Sequence, residues 1–145
     1  MQHYGLATSL LDFTTNPLIA LFFATDQIVQ KDGELIIAKY GRSYENVNDE
    51  NLFERKFNFA YNPPHITERI IGQQGCFVYS RNPNKPLSDK QITKIPIKKS
   101  EKYLLRRELN ELGICNSLLF PGIDGVCQDI NSKLVFDLEE EEFPF

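Results

Sequence analysis

Apolar residues dominate the stretch from Pro17 to Gln30, which follows a segment of mixed apolar and polar positions. Asn16 and Pro17 are typical of a helix start, because an asparagine side chain accepts a hydrogen bond from a free amide and proline fits the first turn. The pattern predicts a buried helix over residues 17–30. Its apolar positions cover almost the whole circumference: Leu18, Ile19, Leu21, Phe22, Phe23, Ala24 and Ile28.

Shorter apolar or alternating stretches predict the other elements. Two further helices are expected at residues 101–112, before Gly113, and at residues 123–136, with one helical turn between His65 and Ile71. Strands are expected near residues 9–14, 34–40, 57–61, 76–80 and 92–98. Because strands and helices do not alternate regularly, the predicted class is α+β: a mixed sheet of about five strands, a buried helix after the first strand and two C-terminal helices.

Two parts of this prediction concern burial. The run from Leu35 to Ile37 is continuously apolar, which favours a strand covered on both faces. In helix 101–112 we expect an apolar buried face and a solvated face on which lysines and arginines alternate with glutamates. The expected buried face consists of Tyr103, Leu104, Leu105, Leu109 and Leu112, and the expected solvated cluster of Lys98, Lys99, Lys102, Arg106 and Arg107.

The composition is that of one globular domain, with 145 residues, 41% hydrophobic and 25% charged. We assign residues 1–138 to this domain and residues 139–145, which begin with four glutamates, to a solvated acidic tail. The formal net charge of −4 offers no basic surface for a phosphate backbone, so nucleic acid is not an expected partner. No membrane partner is expected, because crossing a bilayer takes about 20 apolar residues.

The three cysteines, Cys76, Cys115 and Cys127, have neither zinc-site spacing nor the even number of a disulfide framework. We therefore expect a reducing, cytoplasmic location and no metal site, and no signal-peptide pattern follows Met1. Cys76 is expected to be a buried structural thiol and not a nucleophile.

Polar side chains are concentrated in two segments that lie far apart in the sequence. From Gln2 to Asn16, a strand that ends in hydroxyl groups precedes the apolar helix, which is a common place for a ligand site. From Gly72 to Gly75, two glutamine amides stand between glycines that permit unusual backbone angles. A ligand edge and a simple turn with surface glutamines both fit this second segment.

Three stretches together resemble the FRG domain family: QHYGLATSLLDFTTNPLIALFFA, ERIIGQQGCFVYS and KYLLRRELNELGICNSLLFPGIDGVCQDI. Family members typically read Gln-His-x-Gly-Leu-Pro-Thr-Arg-Leu-Leu-Asp-Trp-Thr in the first stretch, so Ala7, Ser9 and Phe13 depart from the pattern. The Phe-Arg-Gly or Tyr-Arg-Gly motif that names the family lies upstream of this stretch. The resemblance therefore implies an FRG-like domain that is incomplete at its N-terminus.

The resemblance leads to an analogy with ADP-ribosyltransferases, whose arginine, hydroxyl and glutamate motifs occur in a similar order. In those enzymes the arginine holds the NAD phosphates, and the glutamate stabilises an oxocarbenium-like transition state electrostatically. On this analogy Thr14 and Thr15 take the hydroxyl position and Gln73 or Gln74 lies near the acidic one, although Gly75 stands where a glutamate is expected. The first hypothesis is NAD-dependent ADP-ribosyl transfer, with NAD as the candidate cofactor.

Two other functions fit the same residues. One is a non-catalytic module that binds a small-molecule nucleotide or a protein partner, and the other is a metal-free hydrolase that uses His3 with Asp12. The candidate catalytic residues are His3, Asp12 and Gln73. The candidate ligand-binding residues are Gln2, Tyr4, Gly5, Thr8, Thr14, Thr15, Asn16, Arg69, Gln74 and Gly75.

We expect the two polar segments to meet at one cleft. Asp12 is expected to be buried and hydrogen-bonded, because its neighbours are apolar and an unpaired buried carboxylate is costly. The apolar helix is expected either to expose an apolar patch or to be covered by an upstream segment or a partner chain. The cleft would include His3, Asp12, Thr14, Gln73 and Gly75, and the patch Leu10, Phe22 and Phe23.

Overall fold

The computed structural model describes residues 9–25, 31–40, 43–44, 58–64, 67–82, 84–87 and 92–142. For residues 43–44 and 133–142 it describes the backbone only. These residues form six strands and five helices, so the predicted α+β class is confirmed. In chain order the elements are β1 (Leu10–Thr14), α1 (Pro17–Thr25), β2 (Gly33–Ala38), β3 (Ser43–Tyr44), β4 (Phe59–Tyr61), α2 (Glu68–Gly72), β5 (Gly75–Tyr79), β6 (Ile92–Ile97), α3 (Lys99–Glu111), α4 (Asn116–Leu119) and α5 (Ile123–Glu142).

The strands form two sheets instead of the single sheet of about five strands that the sequence predicted. One sheet has the order β1-β5-β4-β3, in which β1 is an edge strand. It is mixed, because β1 and β4 run antiparallel to β5 whereas β3 runs parallel to β4. The other sheet is the antiparallel pair β2-β6. The predicted strand positions agree with the structure, but their grouping depends on pairing between segments far apart in the sequence.

Helix α1 begins as predicted and is fully buried along one face. The Asn16 side-chain oxygen accepts a hydrogen bond from the Leu18 amide at 2.9 Å, which caps the helix. Ile19 and Phe22 are buried, whereas Leu18 and Phe23 are each 40% exposed. The expected burial on all sides is therefore wrong, because the described residues cover only one face. Residues 26–30 of the predicted helix lie outside the described residues.

The buried apolar side chains of the described residues form two clusters. Ile19 and Phe22 of α1 pack with Leu109 of α3 and Leu119 of α4. In the larger sheet, the rings of Phe59 and Tyr79 stack with centroids 5.0 Å apart. The expected patch around α1 also changes, since Phe22 is fully buried and Leu10 is half-buried beside the second cluster.

The prediction that β2 is covered on both faces is wrong. Ile36 and Ile37 point to opposite faces of the strand and are 40% and 44% exposed. The sheet has two strands, and although α1 packs against β2, it leaves both of these side chains accessible. Among the described residues, the partner strand β6 and helix α1 do not bury the whole apolar run.

The predicted faces of α3 are also corrected. Lys102 and Arg106, which were expected in solvent, are only 4% and 5% exposed and lie on the same face as Leu109. Leu104 and Leu112, which were expected in the core, are 54% and 66% exposed. Long side chains with charged ends can be buried when acceptors are available, and for Arg106 the acceptors come from α1 and α4.

The end of α3 follows its sequence signal. Gly113 has a φ of +80°, in the left-handed region that favours glycine. The Gly113 amide donates to the Asn110 carbonyl at 3.0 Å and the Ile114 amide to the Leu109 carbonyl at 2.8 Å. These two bonds form the glycine-terminated helix end that was predicted.

The C-terminal half contains elements that the sequence did not predict in this form. The short helix α4 is new, and α5 continues to Glu142, so the backbone is helical through most of the segment assigned to an acidic tail. Helix α2 matches the single turn expected near residue 70, and its first amides are capped by Thr67. No helix in the described part of the chain is long and apolar enough to cross a membrane.

Candidate ligand-binding cleft

A cleft of about 720 Å³ lies between the edge strand β1, helix α1 and the two-stranded sheet β2-β6. Its walls are mostly apolar, and exposed residues such as Phe23 and Ile36 show that it opens to solvent. The apolar lining is Leu11, Phe13, Ala20, Phe23, Ala24, Leu35, Ile36, Pro86, Leu87 and Ile92. The polar lining is Asp12, Thr14, Glu34, Arg69, Gln73 and Lys94.

The two polar segments meet at one end of β1. The Thr14 hydroxyl donates to the Gln73 carbonyl at 2.8 Å and accepts from the Asn16 amide at 3.1 Å. The Thr15 amide donates to the Gln74 carbonyl at 3.1 Å, and Gly75 lies opposite Thr14 in the strand register. The hydroxyls at the end of β1 therefore fasten this strand to the turn between α2 and β5.

The two glutamines of that turn have different environments. The Gln73 side-chain nitrogen donates to the Leu119 carbonyl at 3.0 Å, so part of its amide is used to hold α4. Gln74 has a φ of 45° and carries the unusual backbone angle that was expected at the glycines. Gly72 instead permits close packing, because a Cβ atom there would lie 2.5 Å from the Leu118 carbonyl oxygen.

Asp12 is exposed, and the expectation that it is buried is wrong. Its apolar neighbours Leu11 and Phe13 are 40% exposed and half-buried, so they do not enclose it. The physical reason is that β1 is an edge strand beside an open cleft, where a carboxylate keeps contact with water. The carboxylate is therefore accessible to a ligand in the cleft.

Arg69 projects from α2 into the same cleft. Its guanidinium carbon lies 4.9 Å from the centroid of the Phe120 ring, a cation–π geometry. Its Nε atom is buried and has no hydrogen-bond partner in the described part of the chain. The Arg69 carbonyl accepts from the Gln73 amide at 3.0 Å, which connects the two cleft residues through the backbone.

The second sheet contributes a charge pair that sequence reasoning missed. Lys94 and Glu34 form a salt bridge of 3.1 Å on strands β6 and β2, with side chains 50% and 42% exposed. Neither residue belongs to a recognisable motif, and their proximity follows from the register of the two strands. Phe23 was predicted to belong to an apolar patch beside α1 and not to line the cleft.

The structure brings only some of the predicted site residues to the cleft. Asp12, Thr14, Arg69 and Gln73 line it. Four others, Thr15, Asn16, Gln74 and Gly75, lie next to it in the chain without lining it. The remaining candidates lie outside the described residues: Gln2, His3, Tyr4, Gly5 and Thr8.

Neither Cys76 nor the metal-ligating residue types within the described residues add a reactive group to this site. Burial raises the pKa of the Cys76 thiol, which lowers the fraction of nucleophilic thiolate at neutral pH. Cys76 lies opposite Phe13 in the β1–β5 pair and is a free cysteine. Among the residues that the structure describes, no group of three or more histidines, cysteines and carboxylates could hold a metal ion.

The fold and cleft define an α+β protein with an open, largely apolar cavity beside an edge strand. The family model of the FRG domain matches residues 1–33 of the chain. The match confirms the predicted resemblance over this segment, which carries β1 and α1 and hence Asp12, Thr14 and Phe23 of the cleft. The two later stretches lie outside the matched residues. No curated protein and no solved structure matches the chain, and these comparisons give the ADP-ribosyltransferase analogy no support.

Proposed function

We propose that the chain is an FRG-like nucleotide-binding module whose ligand occupies the cleft between β1 and β2. The observation that carries this proposal is the lining of the cleft, in which a few polar side chains converge on a cavity of about 720 Å³ with apolar walls. Small-molecule sites have this character, with volumes of roughly 300–1,000 Å³ and few, well-placed polar groups.

A nucleotide has a base with apolar faces and a ribose with polar hydroxyls, which match the apolar and the polar lining of the cleft. An adenine or nicotinamide ring has apolar faces that can contact Phe23 and Ile36, which are each 40% exposed. Ribose hydroxyls are donors, and the exposed carboxylate of Asp12 is an acceptor in the same cleft. We take NAD and ADP-ribose as the ligands to test first, because both carry these groups.

The first test is isothermal titration calorimetry with NAD, ADP-ribose and adenosine. Asp12→Asn keeps the shape of an exposed side chain and removes its charge, so the fold should persist while affinity falls roughly tenfold through the lost charge-assisted hydrogen bond. Asp124→Asn, at an exposed position on α5, is the matched control and should bind like the parent. Absence of binding of all three ligands at millimolar concentration would refute the proposal.

A second candidate function is ADP-ribosyl transfer at this site, and the position of Asp12 favours it. A neutral amide such as Gln73 cannot stabilise a cationic transition state, whereas a carboxylate can. In the reaction the bond between ribose C1′ and nicotinamide breaks, and nicotinamide leaves with the electron pair. An acceptor nucleophile or water then forms the new bond to C1′ and loses a proton.

Mass spectrometry of nicotinamide released from NAD separates the two candidates. Transfer predicts release by the parent protein and a loss of at least about a hundredfold in Asp12→Asn. If NAD binds and no nicotinamide is released, the chain is a non-catalytic module. The hydrolase hypothesis stays a separate prediction, because His3 lies outside the described residues.

The proposal also includes the expected surroundings of the domain. The 40% exposure of Leu11, Leu18 and Phe23 supports the prediction that an upstream segment or a partner chain covers α1. Light scattering tests this prediction, since self-association should raise the apparent mass of the isolated chain. A cytoplasmic location likewise remains our proposal, supported by the free cysteines Cys76, Cys115 and Cys127.

A further inference from the structure

Arg69 differs from the other cation of the cleft in having no carboxylate partner. Lys94 is paired with Glu34 at 3.1 Å, whereas Arg69 forms no ion pair within the described residues, although Asp12 lines the same cleft. The Nε atom of Arg69 is buried and lacks an acceptor there. A buried donor without a partner is rare in folded proteins, so the guanidinium of Arg69 has hydrogen-bonding capacity that the described residues do not use.

The guanidinium of Arg69 is held in place by the protein. Phe120 lies beneath it, with the guanidinium carbon 4.9 Å from the ring centroid. The backbone of its helix is anchored by the Thr67 cap at one end and by the tight approach of Gly72 to Leu118 at the other. A cation positioned in advance loses less side-chain entropy when a ligand binds.

The chemistry of the guanidinium group indicates which functional group of the ligand contacts Arg69. Arginine stays charged at all relevant pH values and offers a planar fork of N–H donors that matches two oxygens of a phosphate. One face of the guanidinium plane lies against the Phe120 ring, so the N–H groups at the edge of this plane remain for an anion. Most of the other lining residues are apolar, which favours an anion attached to a group with apolar faces.

We infer that Arg69 binds the phosphate or pyrophosphate group of a nucleotide whose base occupies the apolar part of the cleft. This inference rests on the proposed function and narrows its ligand to phosphorylated nucleotides. Asp12 then contacts the ribose side of the ligand, since two negative groups at the same position would repel each other.

The test compares adenosine with AMP, which adds one phosphate, and with ADP-ribose, which adds a pyrophosphate and a second ribose. Inorganic pyrophosphate is the base-free probe. In the parent protein, calorimetry at low salt should give AMP and ADP-ribose affinities at least about tenfold above that of adenosine. Arg69→Gln should abolish this preference and leave adenosine binding within about twofold, while Arg69→Lys should keep part of it because it retains the charge. Arg107→Gln, on the exposed face of α3, is the matched control and should keep the full preference.

Each other result has a definite meaning. If adenosine and AMP bind equally, or if Arg69→Gln weakens both equally, the phosphate assignment is overturned and nucleotide binding stands. If no nucleotide binds but pyrophosphate binds to the parent and not to Arg69→Gln, the proposed function fails and Arg69 remains an anion site. If neither nucleotides nor pyrophosphate bind, both proposals are wrong. Melting temperatures of all variants verify that each one is folded.

Discussion

Two arginines with similar local contacts distinguish the helix junction, formed by α1, α3 and α4, from the cleft. Arg106 in the junction lies over the Phe22 ring, with its guanidinium carbon 3.3 Å from the centroid, and Arg69 in the cleft lies over Phe120 at 4.9 Å. Arg106 is 5% exposed and donates to the Phe22 carbonyl at 3.0 Å and to the Asn116 side-chain oxygen at 3.4 Å. Arg69 has a buried Nε without an acceptor in the described part of the chain.

The difference shows how one residue type serves structure in one place and binding in another. Phe22 lies in the last turn of α1, where its carbonyl also accepts a hydrogen bond from the Thr25 hydroxyl at 2.9 Å and the helix dipole favours a positive charge. The buried guanidinium of Arg106 donates a hydrogen bond to the Phe22 carbonyl at this end of the helix. Arg69 is held by similar ring contacts, but its polar edge faces a cavity, so its remaining hydrogen-bonding capacity is available to a ligand.

Removing the junction arginine should have the largest effect on stability. Arg106→Ala removes one of two donors to the Phe22 carbonyl, the other being the Thr25 hydroxyl at 2.9 Å, and it leaves the buried Asn116 side-chain oxygen without this donor. It also removes the contact with the Phe22 ring, so we expect a loss of about 3 kcal/mol in the free energy of unfolding. Urea denaturation measures this loss in the free energy of unfolding. Arg107→Ala is the control, since its exposed pair with Glu111 should contribute less than about 0.5 kcal/mol. Equal losses in the two variants would contradict the structural role of Arg106.

The substitution Gly72→Ala should affect both the helix junction and the cleft. A methyl group at Gly72 would lie 2.5 Å from the Leu118 carbonyl oxygen, which is a backbone atom and cannot rotate away. Gly72→Ala should therefore separate α2 from α4 and cost about 2 kcal/mol in unfolding free energy.

The same change should shift Arg69 relative to Phe120 and weaken phosphate binding. Gly75→Ala is the stability control, because its Cβ atom would meet the nearest atom at an ordinary 3.7 Å. If Gly72→Ala is as stable as the parent protein, the backbone near Leu118 accommodates the methyl group without a loss in the free energy of unfolding, and the prediction is wrong.

The junction should also be sensitive to acid through Asp129. Its carboxylate accepts from the amides of Asn116 at 2.7 Å and Ser117 at 2.8 Å. Partial burial raises the pKa of Asp129, but these hydrogen bonds outweigh it and hold the pKa below the ordinary value of 3.8. A carboxyl group with a lowered folded-state pKa stabilises the fold above its unfolded-state pKa, and this contribution is lost as the pH falls through the folded-state value.

Asp129→Asn should therefore cost about 1 kcal/mol at pH 7, comparable to the loss of a helix cap. The difference in melting temperature from the parent should narrow as the pH falls below 3.8. Thermal melts between neutral and acidic pH measure both, with Asp124→Asn as the exposed control. A difference that does not change with pH would mean that the charge of Asp129 has no role.

Replacing the cleft arginine should have the smallest effect on stability. Arg69→Gln removes a donor that has no acceptor in the described residues and the cation–π contact with Phe120, so the free energy of unfolding should fall by about 0.5 kcal/mol. Denaturation beside Arg106→Ala gives the direct comparison. A loss as large as that of Arg106→Ala would show that Arg69 is structural.

Local sequence signals predicted the elements well, and the reason is that each signal acts within a few residues. Asn16 caps α1 and Gly113 ends α3, as their positions indicated. The strands lie within about two residues of their predicted positions, as is usual for element boundaries. The short elements β3 and α4 were missed, since two to four residues are too few to show a periodicity.

The candidate site was predicted less completely. The resemblance directed attention to Asp12, Thr14, Arg69 and Gln73, which line one cleft. Glu34 and Lys94 could not be identified, because they enter the lining through the pairing of β2 with β6. The exposure of Asp12 was also beyond sequence reasoning, since its neighbours are as apolar as those of a buried strand.

The sequence by itself determined where the longer helices and most of the strands lie, because capping, turn residues and apolar periodicity are local properties of the chain. The tertiary structure alone decided which charged groups are buried and which are available. Arg106 and Arg69 both stand among apolar and charged neighbours in the sequence. Their difference arises because the Phe22 carbonyl, 84 residues away from Arg106, provides an acceptor, whereas an open cleft faces Arg69.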